Sequence, residues 1–392
     1  MIFEIAVSVR YTRAVNSFDV IIIGAGLIGC SIAHELARRG LRVLALDRRE
    51  PGQEASWAAA GMLTPASESI EEHALVPLAN ASLALYPGFI ERVEGATGMN
   101  TGYRRDGALE VFFGEGAEEK LQHWLAAVRR AGFHPQPLRT AELRRAEPAL
   151  AADAAAGAFM ADEGSVDNRR LTAAVAAAAR GQGVDFRAGE NVARLTILSG
   201  RATGVETQNA KLSSAHVVLA AGCFSAQVQG AERYAPTLPA RGQMAALRPA
   251  EMPVRRVVRG PSYLVPRNDG RLLIGATVEH VGFEKAVTAG AIGRLLSDAV
   301  RMLPALAHAP VVETWCGLRP DTPDHLPILG PADVEGLWIA TGHYRNGILL
   351  APATARALGE WIAEGRTSLP VQGFSPMRFA ASQPEQAHSA NH

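Results

Sequence analysis

A glycine-rich turn near the start of the sequence limits the possible folds more than any other segment. Gly24, Gly26 and Gly29 form the pattern G-x-G-x-x-G between a β-branched run at residues 20–23 and a helical period over residues 27–39. The first two glycines allow a tight turn and a close approach of backbone to a pyrophosphate, and the third allows close helix packing. The segment therefore predicts a βαβ unit that binds a dinucleotide.

Asp47 closes the second strand of this unit, about 20 residues after the first glycine. Its carboxylate is placed to accept from ribose hydroxyls and to repel a 2′-phosphate, so an adenosine half without that phosphate is expected. FAD and NAD sites share this pattern.

A second glycine-rich junction at residues 342–350, GHYRNGILL, would present another helix N-terminus, whose dipole stabilises the negative charge of a reduced flavin. A plain helix start capped by Asn346 explains the same residues equally well.

The composition is that of a folded protein without an electrostatic signature for nucleic acid or membrane. The 392 residues suggest two or three domains, or one large two-lobed unit. Lys plus Arg and Asp plus Glu each number 39, so the formal net charge is +0. The apolar run at residues 20–33 is too short for a spanning helix. Cys30, Cys223 and Cys316 have no disulfide or zinc spacing, and a cytoplasmic location is expected.

Two patterns alternate along the chain and predict an α/β protein with two lobes. Helices and buried strands at residues 171–180, 215–220 and 337–363 extend the βαβ unit into a lobe with a central parallel sheet. Residues 103–113 and 234–277 alternate apolar and polar side chains between turns, which predicts a second lobe with a mainly antiparallel sheet.

The predicted lobes are discontinuous in the sequence. The dinucleotide-binding lobe is assigned residues 17–85, 151–230 and 315–380, and the substrate lobe residues 86–150 and 231–314. Helices at residues 118–131 and 289–303 are expected on the substrate lobe. Residues 1–16 form an N-terminal extension with strand period over residues 3–12, and residues 381–392 form a polar tail predicted to be disordered.

Two arginines among apolar and glycine neighbours are candidates for substrate binding. Arg319 lies in WCGLRP and Arg345 in the second glycine-rich junction. A guanidinium suits a carboxylate bidentately, so a substrate acid is one candidate partner, and an ion pair with Asp321 or Asp324 is the other. Tyr263 would add a hydroxyl donor, although an interior strand tyrosine more often serves packing.

Metal and nucleophile motifs are missing from the sequence. Asp321, Asp324 and His325 are interrupted by prolines, which prevents one helix or strand face from aligning them as ligands. No G-x-S-x-G motif and no Cys/His nucleophile pattern occurs. Neither a metal nor a general base is therefore expected.

Several short motifs together resemble the glycine oxidases of the D-amino-acid oxidase and sarcosine oxidase superfamily. They are AAAGML at residues 58–63, YLVPR at 263–267, LIGAT at 273–277, GLRP at 317–320, GHYRNGILLAP at 342–352 and FSPMRF at 374–379. The resemblance implies FAD and the oxidation of glycine, and of small amines such as sarcosine, to an imine for the thiazole half of thiamine. Oxygen would take the electrons and give hydrogen peroxide, with release of glyoxylate and ammonia. It also implies a homo-oligomer, by resemblance a tetramer.

The resemblance also assigns roles to individual positions. Arg319 would grip the substrate carboxylate, Tyr263 would donate to it, and Arg345 would lie nearby. The residues along the flavin ring would be Ala58, Ala59, Ala60, Gly61 and Met62. The adenosine side would be lined by Val192, Ala220 and Gly222. The second glycine-rich junction would contribute His343, Arg345, Asn346, Gly347 and Ile348 to the cofactor site. Without a general base, hydride would pass from the Cα of a neutral-amine glycine to flavin N5, driven by positioning.

Three features depart from the pattern of that family. Trp57 stands where a small polar residue is usual, which puts the contacts of the flavin segment in question. Residues 1–16 precede the usual start. Cys316 replaces an alanine and aligns with the cysteine that bonds FAD covalently in monomeric sarcosine oxidase. A small packing residue is the favoured interpretation of Cys316, so FAD is expected to be non-covalent, with a covalent link as the alternative.

Two other functions fit the same motifs. One is a D-amino-acid or sarcosine dehydrogenase that passes electrons to a quinone, and the other is a non-catalytic flavoprotein that acts as a partner. Arg319 and Tyr263 argue against the second, because a scaffold needs no carboxylate grip. The motifs favour an oxygen-dependent amine oxidase whose partners are a small amino acid and oxygen.

Overall fold

The predicted βαβ unit is present in the computed structural model. β1 (Phe18–Ile23) leads through the glycine-rich turn into α1 (Leu27–Arg38), and β2 (Val43–Asp47) returns beside β1 in parallel. Gly26 is the N-cap of α1, and Gly40 follows the helix with a φ of +85°. The helix therefore begins and ends where the glycines of the sequence predict.

The structure describes residues 18–68 and 73–380. The strand expected at residues 3–12 and the polar tail at residues 381–392 lie outside this part. The other helices are α2 (Ala55–Ala58), α3 (Pro65–Glu68), α4 (Val76–Thr97), α5 (Ala117–Arg130), α6 (Thr140–Ala146), α7 (Asn168–Gly181), α8 (Ala289–Met302), α9 (Gly347–Glu364) and α10 (Met377–Ala380).

The remaining strands alternate with these helices along the chain. They are β3 (Met62–Leu63), β4 (Ala108–Phe113), β5 (Gln136–Arg139), β6 (Ala154–Met160), β7 (Gly164–Ser165), β8 (Asp185–Ala188), β9 (Val192–Leu198), β10 (Arg201–Thr207), β11 (Lys211–Leu219), β12 (Leu238–Leu247), β13 (Val257–Arg259), β14 (Tyr263–Pro266), β15 (Leu272–Gly275), β16 (Val311–Asp321), β17 (Ile328–Pro331) and β18 (Leu337–Thr341).

The first sheet has β1 at its centre and the strand order β17-β18-β11-β1-β2-β8. Its strands are parallel except β17. β10 extends the sheet by antiparallel pairing with β11, and β9 pairs antiparallel with β10. Val20 and Ile22 pack against α1, α4, α7 and α9, whereas Ile21 and Ile23 pack against β9 and β10 on the other face. Because both faces are covered, the strand is a continuous β-branched run.

The second sheet has the order β16-β12-β15-β14-β13-β4-β6-β5 and is antiparallel except for the pair β4 and β13. Leu264 and Ile274 pack on one face against α8. Val265 and Leu273 on the opposite face contact Ala58 and Ala60, in the segment that follows β2. This segment, the first sheet and the helices α1, α4, α7 and α9 are together called the first lobe. The α/β class with a parallel and a mainly antiparallel sheet is confirmed, and this second face of the antiparallel sheet packs against residues 58–60.

Sheet membership differs from the predicted division at several places. β6 and most of β16 come from ranges assigned to the dinucleotide lobe, yet they hydrogen-bond in the second sheet. The boundary placed at residue 85 falls inside α4, a long helix that the sequence did not predict and that contains Pro87. Which sheet a strand joins depends on partners far away in sequence, so local patterns do not determine it. The division into lobes remains a prediction.

None of the helices within residues 18–68 and 73–380 is both long enough and apolar enough to cross a lipid bilayer.

Candidate active site

A cavity of about 490 Å³ lies between the glycine-rich turn and the inner face of the second sheet. That volume is typical of small-molecule sites. The sequence-predicted residues that line it are Gly24, Gly26, Asp47, Ala58, Ala59, Ala60, Gly61, Met62, Val192, Ala220, Gly222, Tyr263, Arg319, His343, Arg345, Asn346, Gly347 and Ile348. The structure thus brings together positions that are more than 300 residues apart in the sequence.

The first and the last glycine of the glycine-rich turn leave no room for a side chain. A Cβ on Gly24, where φ is +100°, would stand 2.5 Å from the carbonyl oxygen of Ala220. A Cβ on Gly29 would stand 1.9 Å from the carbonyl oxygen of Gly24. Gly29 is not part of the cavity wall, so its contribution is the close packing of α1 on the turn. The backbone of Gly24 and Gly26 lines the cavity at the start of α1, which suits a pyrophosphate.

Asp47 links the end of β2 to the glycine-rich turn. One carboxylate oxygen accepts from the backbone N–H of Ala25 at 2.7 Å, and the other accepts from Arg49 N–H at 2.9 Å. Burial raises the pKa of this carboxyl, and the two backbone donors oppose that effect. The group borders the cavity with lone pairs left to accept from ribose hydroxyls.

The second glycine-rich junction enters α9 as the sequence predicts. Asn346 occupies the N-cap position, but its side chain makes no capping bond. Among the described residues, its buried Oδ1 has no hydrogen-bond partner and borders the cavity. A buried amide oxygen without a partner is costly, which is consistent with a ligand that donates to it. The helix-cap interpretation of Asn346 is therefore wrong for its side chain.

His343 beside this junction carries no charge at neutral pH. Burial lowers its pKa to about 3, and its Nε2 is 3.0 Å from the hydroxyl oxygen of Thr354. Gly342 precedes it with a φ of +71°, and a Cβ there would stand 2.4 Å from Cγ2 of Thr322. The junction is thus a closely packed wall at the N-terminus of α9, in which His343 is neutral and Arg345 is the cation.

Arg319 on β16 and Tyr263 on β14 border the same cavity from the second sheet, in which β12 and β15 lie between these two strands. Arg319 donates from Nη1 to the carbonyl oxygen of Thr277 at 2.9 Å and makes no carboxylate ion pair within the described part of the chain. Asp321 instead accepts from His325, and Asp324 accepts from Arg378. The Asp321 and Asp324 alternatives for Arg319 are therefore wrong, and its guanidinium borders the cavity.

Glycines make room for these two side chains. A Cβ on Gly242 would stand 2.3 Å from Nη1 of Arg319, and a Cβ on Gly275 would stand 2.3 Å from the hydroxyl oxygen of Tyr263. A Cβ on Gly317 would stand 2.3 Å from Cβ of Ala58. Neither Gly242 nor Gly275 was predicted as a site residue, although a glycine inside a strand signals a close approach of this kind.

The wall that the second sheet contributes contains no acid or imidazole. Within the described chain it consists of Gly242, Met244, Tyr263 and residues 317–320. The carboxylates that border the cavity, Asp47, Glu54 and Glu190, come from the first lobe. The substrate end therefore offers a cation and a phenol but no carboxylate base.

Arg48, Glu54 and Phe224 form an edge of the cavity that the sequence did not indicate. The Arg48 guanidinium lies 3.5 Å from the ring centroid of Phe224, and Phe283 stacks on that ring at 5.2 Å. Glu54 accepts from Arg48 at 2.7 Å and from Lys285. The segment after β15 thereby contacts the first lobe beside the cofactor cavity.

Two departures noted in the sequence lie outside the cavity wall. Trp57 is half-exposed, packs edge-on against Trp315 at 6.3 Å and lies under the guanidinium of Arg169. Cys316 alternates with Trp315 and Gly317 along β16, so its side chain points to the face opposite the cavity. Burial also raises the pKa of its thiol. The side chains of Trp57 and Cys316 are therefore not part of the wall that residues 58–62 form beside the cavity.

The comparisons with known proteins agree with this site. A model of the FAD dependent oxidoreductase family (DAO) matches residues 19–361. The bifunctional protein ThiO/ThiG of Trichormus variabilis is 38% identical over 95% of this chain, which spans only 57% of that relative. Glycine oxidase of Pseudomonas aeruginosa is 35% identical, over 91% of this chain and 98% of that protein.

A solved structure has the same fold. The crystal structure of glycine oxidase from Geobacillus kaustophilus superposes with a TM-score of 0.86 at 33% identity, covering 92% of this chain and 99% of that chain. The glycine turn, the partnerless Asn346 oxygen and the cavity volume fit the cofactor that the family name states. The chain belongs to the FAD dependent oxidoreductase family.

Proposed function

We propose that this chain is a glycine oxidase. It would convert glycine and oxygen to the imine and hydrogen peroxide, and water would then release glyoxylate and ammonia. The observation that carries the proposal is Arg319, a cation that borders the cavity without a carboxylate partner in the described chain. The names of the relatives support the substrate, and the fusion in ThiO/ThiG supports a role in supplying the imine for the thiazole half of thiamine.

The substrate carboxylate would bind at Arg319. A guanidinium offers paired N–H donors that match both carboxylate oxygens, and the phenol of Tyr263 adds a further donor at the same end of the cavity. With its carboxylate fixed, a small amino acid can present its Cα in only a few orientations. The contribution of these side chains is therefore positioning, which converts an encounter into a favourable reaction geometry.

The cofactor would be held by the first lobe. Gly24, Gly26 and Asp47 would take its pyrophosphate and ribose, and residues 58–62 would lie along its ring. When bound, FAD supplies the two-electron acceptor for the amine and returns the electrons to oxygen. The N-terminus of α9 would stabilise negative charge that develops beside it. Ala58, Ala60 and Met244 give the cavity an apolar lining where it meets the second sheet.

Proton removal from the ammonium group would not use a side-chain base. The wall that the second sheet contributes has no carboxylate or histidine among the described residues, and His343 in the second glycine-rich junction is held neutral by burial, so the amine would lose its proton to solvent before or during binding. Activity is accordingly expected to rise with pH as more substrate is present as the neutral amine.

Anaerobic reduction by candidate substrates tests this function. The FAD-loaded protein is mixed without oxygen with glycine, sarcosine, D-alanine or D-proline, and the visible absorbance of the flavin is followed. Glycine should bleach it, and admission of oxygen should restore the colour with one hydrogen peroxide per glycine consumed. Bleaching by D-proline but not by glycine would contradict glycine as the substrate. Reoxidation by a quinone but not by oxygen would establish the dehydrogenase alternative.

The proposal includes a cytoplasmic homo-oligomer, by resemblance a tetramer. Sedimentation velocity of the purified FAD-loaded protein tests the assembly, and a monomer across the concentration range would contradict it. Fractionation of cells that produce the full-length protein tests the location.

A further inference from the structure

Arg267 is a buried cation that neither substrate binding nor the dinucleotide pattern uses. It follows β14 in the second sheet, and only 6% of the residue is exposed. Its guanidinium donates to the carbonyl oxygen of Val166 at 2.9 Å, to the carbonyl oxygen of Ala60 at 2.7 Å and to Oδ1 of Asn168 at 2.9 Å. All three acceptors belong to the first lobe and are neutral oxygens.

These acceptors lead directly to the segment that borders the cofactor cavity. Ala60 and Gly61 are part of the cavity wall, and Val166 N–H donates to the carbonyl oxygen of Gly61 at 2.8 Å. A Cβ on Gly61, where φ is +68°, would stand 2.0 Å from the Val166 carbonyl oxygen and 3.1 Å from Nη2 of Arg267. The guanidinium therefore lies against a backbone that admits only glycine.

Asn168 extends the same network to the start of the segment. Its Nδ2 donates to the carbonyl oxygens of Ser56 and Trp57 at 2.7 and 3.0 Å, while its Oδ1 accepts from Arg267. Ser56 in turn accepts from the N–H of Leu27 at the first turn of α1 through its hydroxyl oxygen at 2.8 Å. One set of hydrogen bonds thus runs from the second sheet through residues 56–61 to the helix that carries the glycine-rich turn.

Burial of this charge is energetically unfavourable unless the hydrogen bonds are retained. Burial lowers the pKa of Arg267 to about 10, which still leaves the guanidinium charged at neutral pH. A charge that is kept away from water is destabilising when any of its hydrogen-bond partners is lost. The planar guanidinium of Arg267 donates to three carbonyl oxygens at once, and the ammonium group of a lysine at this position cannot reach all three.

We propose that Arg267 is a positioning residue for the cofactor, which holds residues 58–61 of the first lobe against the second sheet in the conformation that receives the flavin. The proposal rests on the FAD dependence of the family and not on the identity of the amine substrate.

FAD binding to the apoprotein tests the proposal without any substrate. Arg267→Lys should weaken FAD binding by about tenfold or more and should change the visible circular dichroism of the bound flavin. Arg271→Lys is the matched control, because Arg271 is a nearby arginine whose ion pairs go to Asp269 and Glu313. It should leave both measurements unchanged.

Melting of the apoprotein separates positioning from general stability. A merely structural Arg267 would lower the melting temperature of the variant while the folded fraction binds FAD with the parent affinity and spectrum, and that result would overturn the proposal. If Arg267→Lys does not fold, Asn168→Ala decides, since it keeps the cation but removes one of its acceptors together with the two hydrogen bonds that join Asn168 to Ser56 and Trp57. Weaker FAD binding by Asn168→Ala supports the proposal, and parent affinity overturns it.

Discussion

The guanidinium of Arg319 lies against the Cα of Gly242 on the adjacent strand. A Cβ on Gly242 would stand 2.3 Å from Nη1 and 2.5 Å from Cζ of Arg319. Arg319 pairs in register with Ala240, so its side chain crosses to the diagonal neighbour on the same face of the sheet. The absence of a side chain at position 242 is therefore what allows Arg319 to lie flat at the edge of the cavity.

Gly242→Ala should raise the KM for glycine about 10- to 100-fold with FAD content unchanged, because the methyl group displaces a charged hydrogen-bond donor from its position. Steady-state kinetics with an oxygen electrode measures this effect. Gly290→Ala is the control, since a Cβ on Gly290 in α8 meets no atom within 4 Å. An unchanged KM in Gly242→Ala would contradict this prediction, because it would show that the Arg319 guanidinium still binds the substrate when a methyl group is present at position 242.

Arg319→Lys should retain FAD and raise the KM for glycine steeply, by about 10- to 100-fold, because a point charge does not replace a bidentate fork. Glycine has no side chain that compensates through other contacts. Flavin content by absorbance and the KM by initial rates are measured on the same preparation. A variant that oxidises glycine with the parent KM would exclude Arg319 as the carboxylate partner.

Asp47→Asn should weaken FAD binding with little change in the turnover of the loaded fraction. The amide oxygen can still accept from Ala25 N–H, whereas the amide NH2 group cannot accept from Arg49 N–H. The variant therefore tests the charge and the ribose contact and keeps the hydrogen bond to the glycine-rich turn. The retained FAD is measured after dialysis. Asp185→Asn on the neighbouring β8 is the control, because Asp185 pairs with Arg187 outside the cavity wall. Equal FAD content in Asp47→Asn and the parent would contradict the assignment.

FAD should be non-covalent despite Cys316. A thioether needs the sulfur within bonding reach of the flavin, whereas Cys316 points to the face of the second sheet opposite the cavity. Acid precipitation should release all yellow colour into the supernatant, and the intact mass should equal that of the bare chain. Colour that stays in the pellet and disappears in Cys316→Ala would establish the covalent link.

Glu360 in α9 should make stability depend on pH. Burial alone raises its pKa, but the N–H of Ser368 and the guanidinium of Arg356 outweigh burial and lower the pKa to about 2. This stabilisation is complete above the unfolded-state pKa near 4.5 and is lost as pH falls towards 2. Glu360→Gln should therefore cost about 1–2 kcal/mol at pH 7.

Melting curves of the parent and Glu360→Gln between pH 7 and pH 3 test this dependence. The difference between the two proteins should shrink as the pH falls below about 4.5. Glu364→Gln is the control, because the Glu364 side chain is 52% exposed and its ion pair with Arg39 is accessible to solvent. If the difference in melting temperature stays constant across the pH range, the charge of Glu360 is not the cause of the lower stability of the variant.

The local structure followed from the sequence alone. The β-branched run, the spacing of Gly24, Gly26 and Gly29 and the acid at position 47 predicted a βαβ unit and its cavity-facing turn, and the helix after Gly342 was predicted in the same way. These signals are short-range, since backbone conformation, helix periodicity and glycine requirements depend on neighbours within a few residues. Together they also indicated the family, because they occur in a fixed order along most of the chain.

Only the tertiary structure decided which distant residues meet. In the structure β6 and β16 belong to the second sheet, and the Cys316 side chain points away from the cavity. Gly242 lies directly against the Arg319 guanidinium. The YLVPR motif was expected to supply Tyr263 to the substrate site. The structure shows that the same motif also supplies Arg267, which donates to the carbonyl oxygen of Ala60 in the first lobe. Each of these relationships joins segments that are far apart in the chain. They depend on strand pairing and on the face to which a side chain points, and a one-residue shift in register would reverse that face.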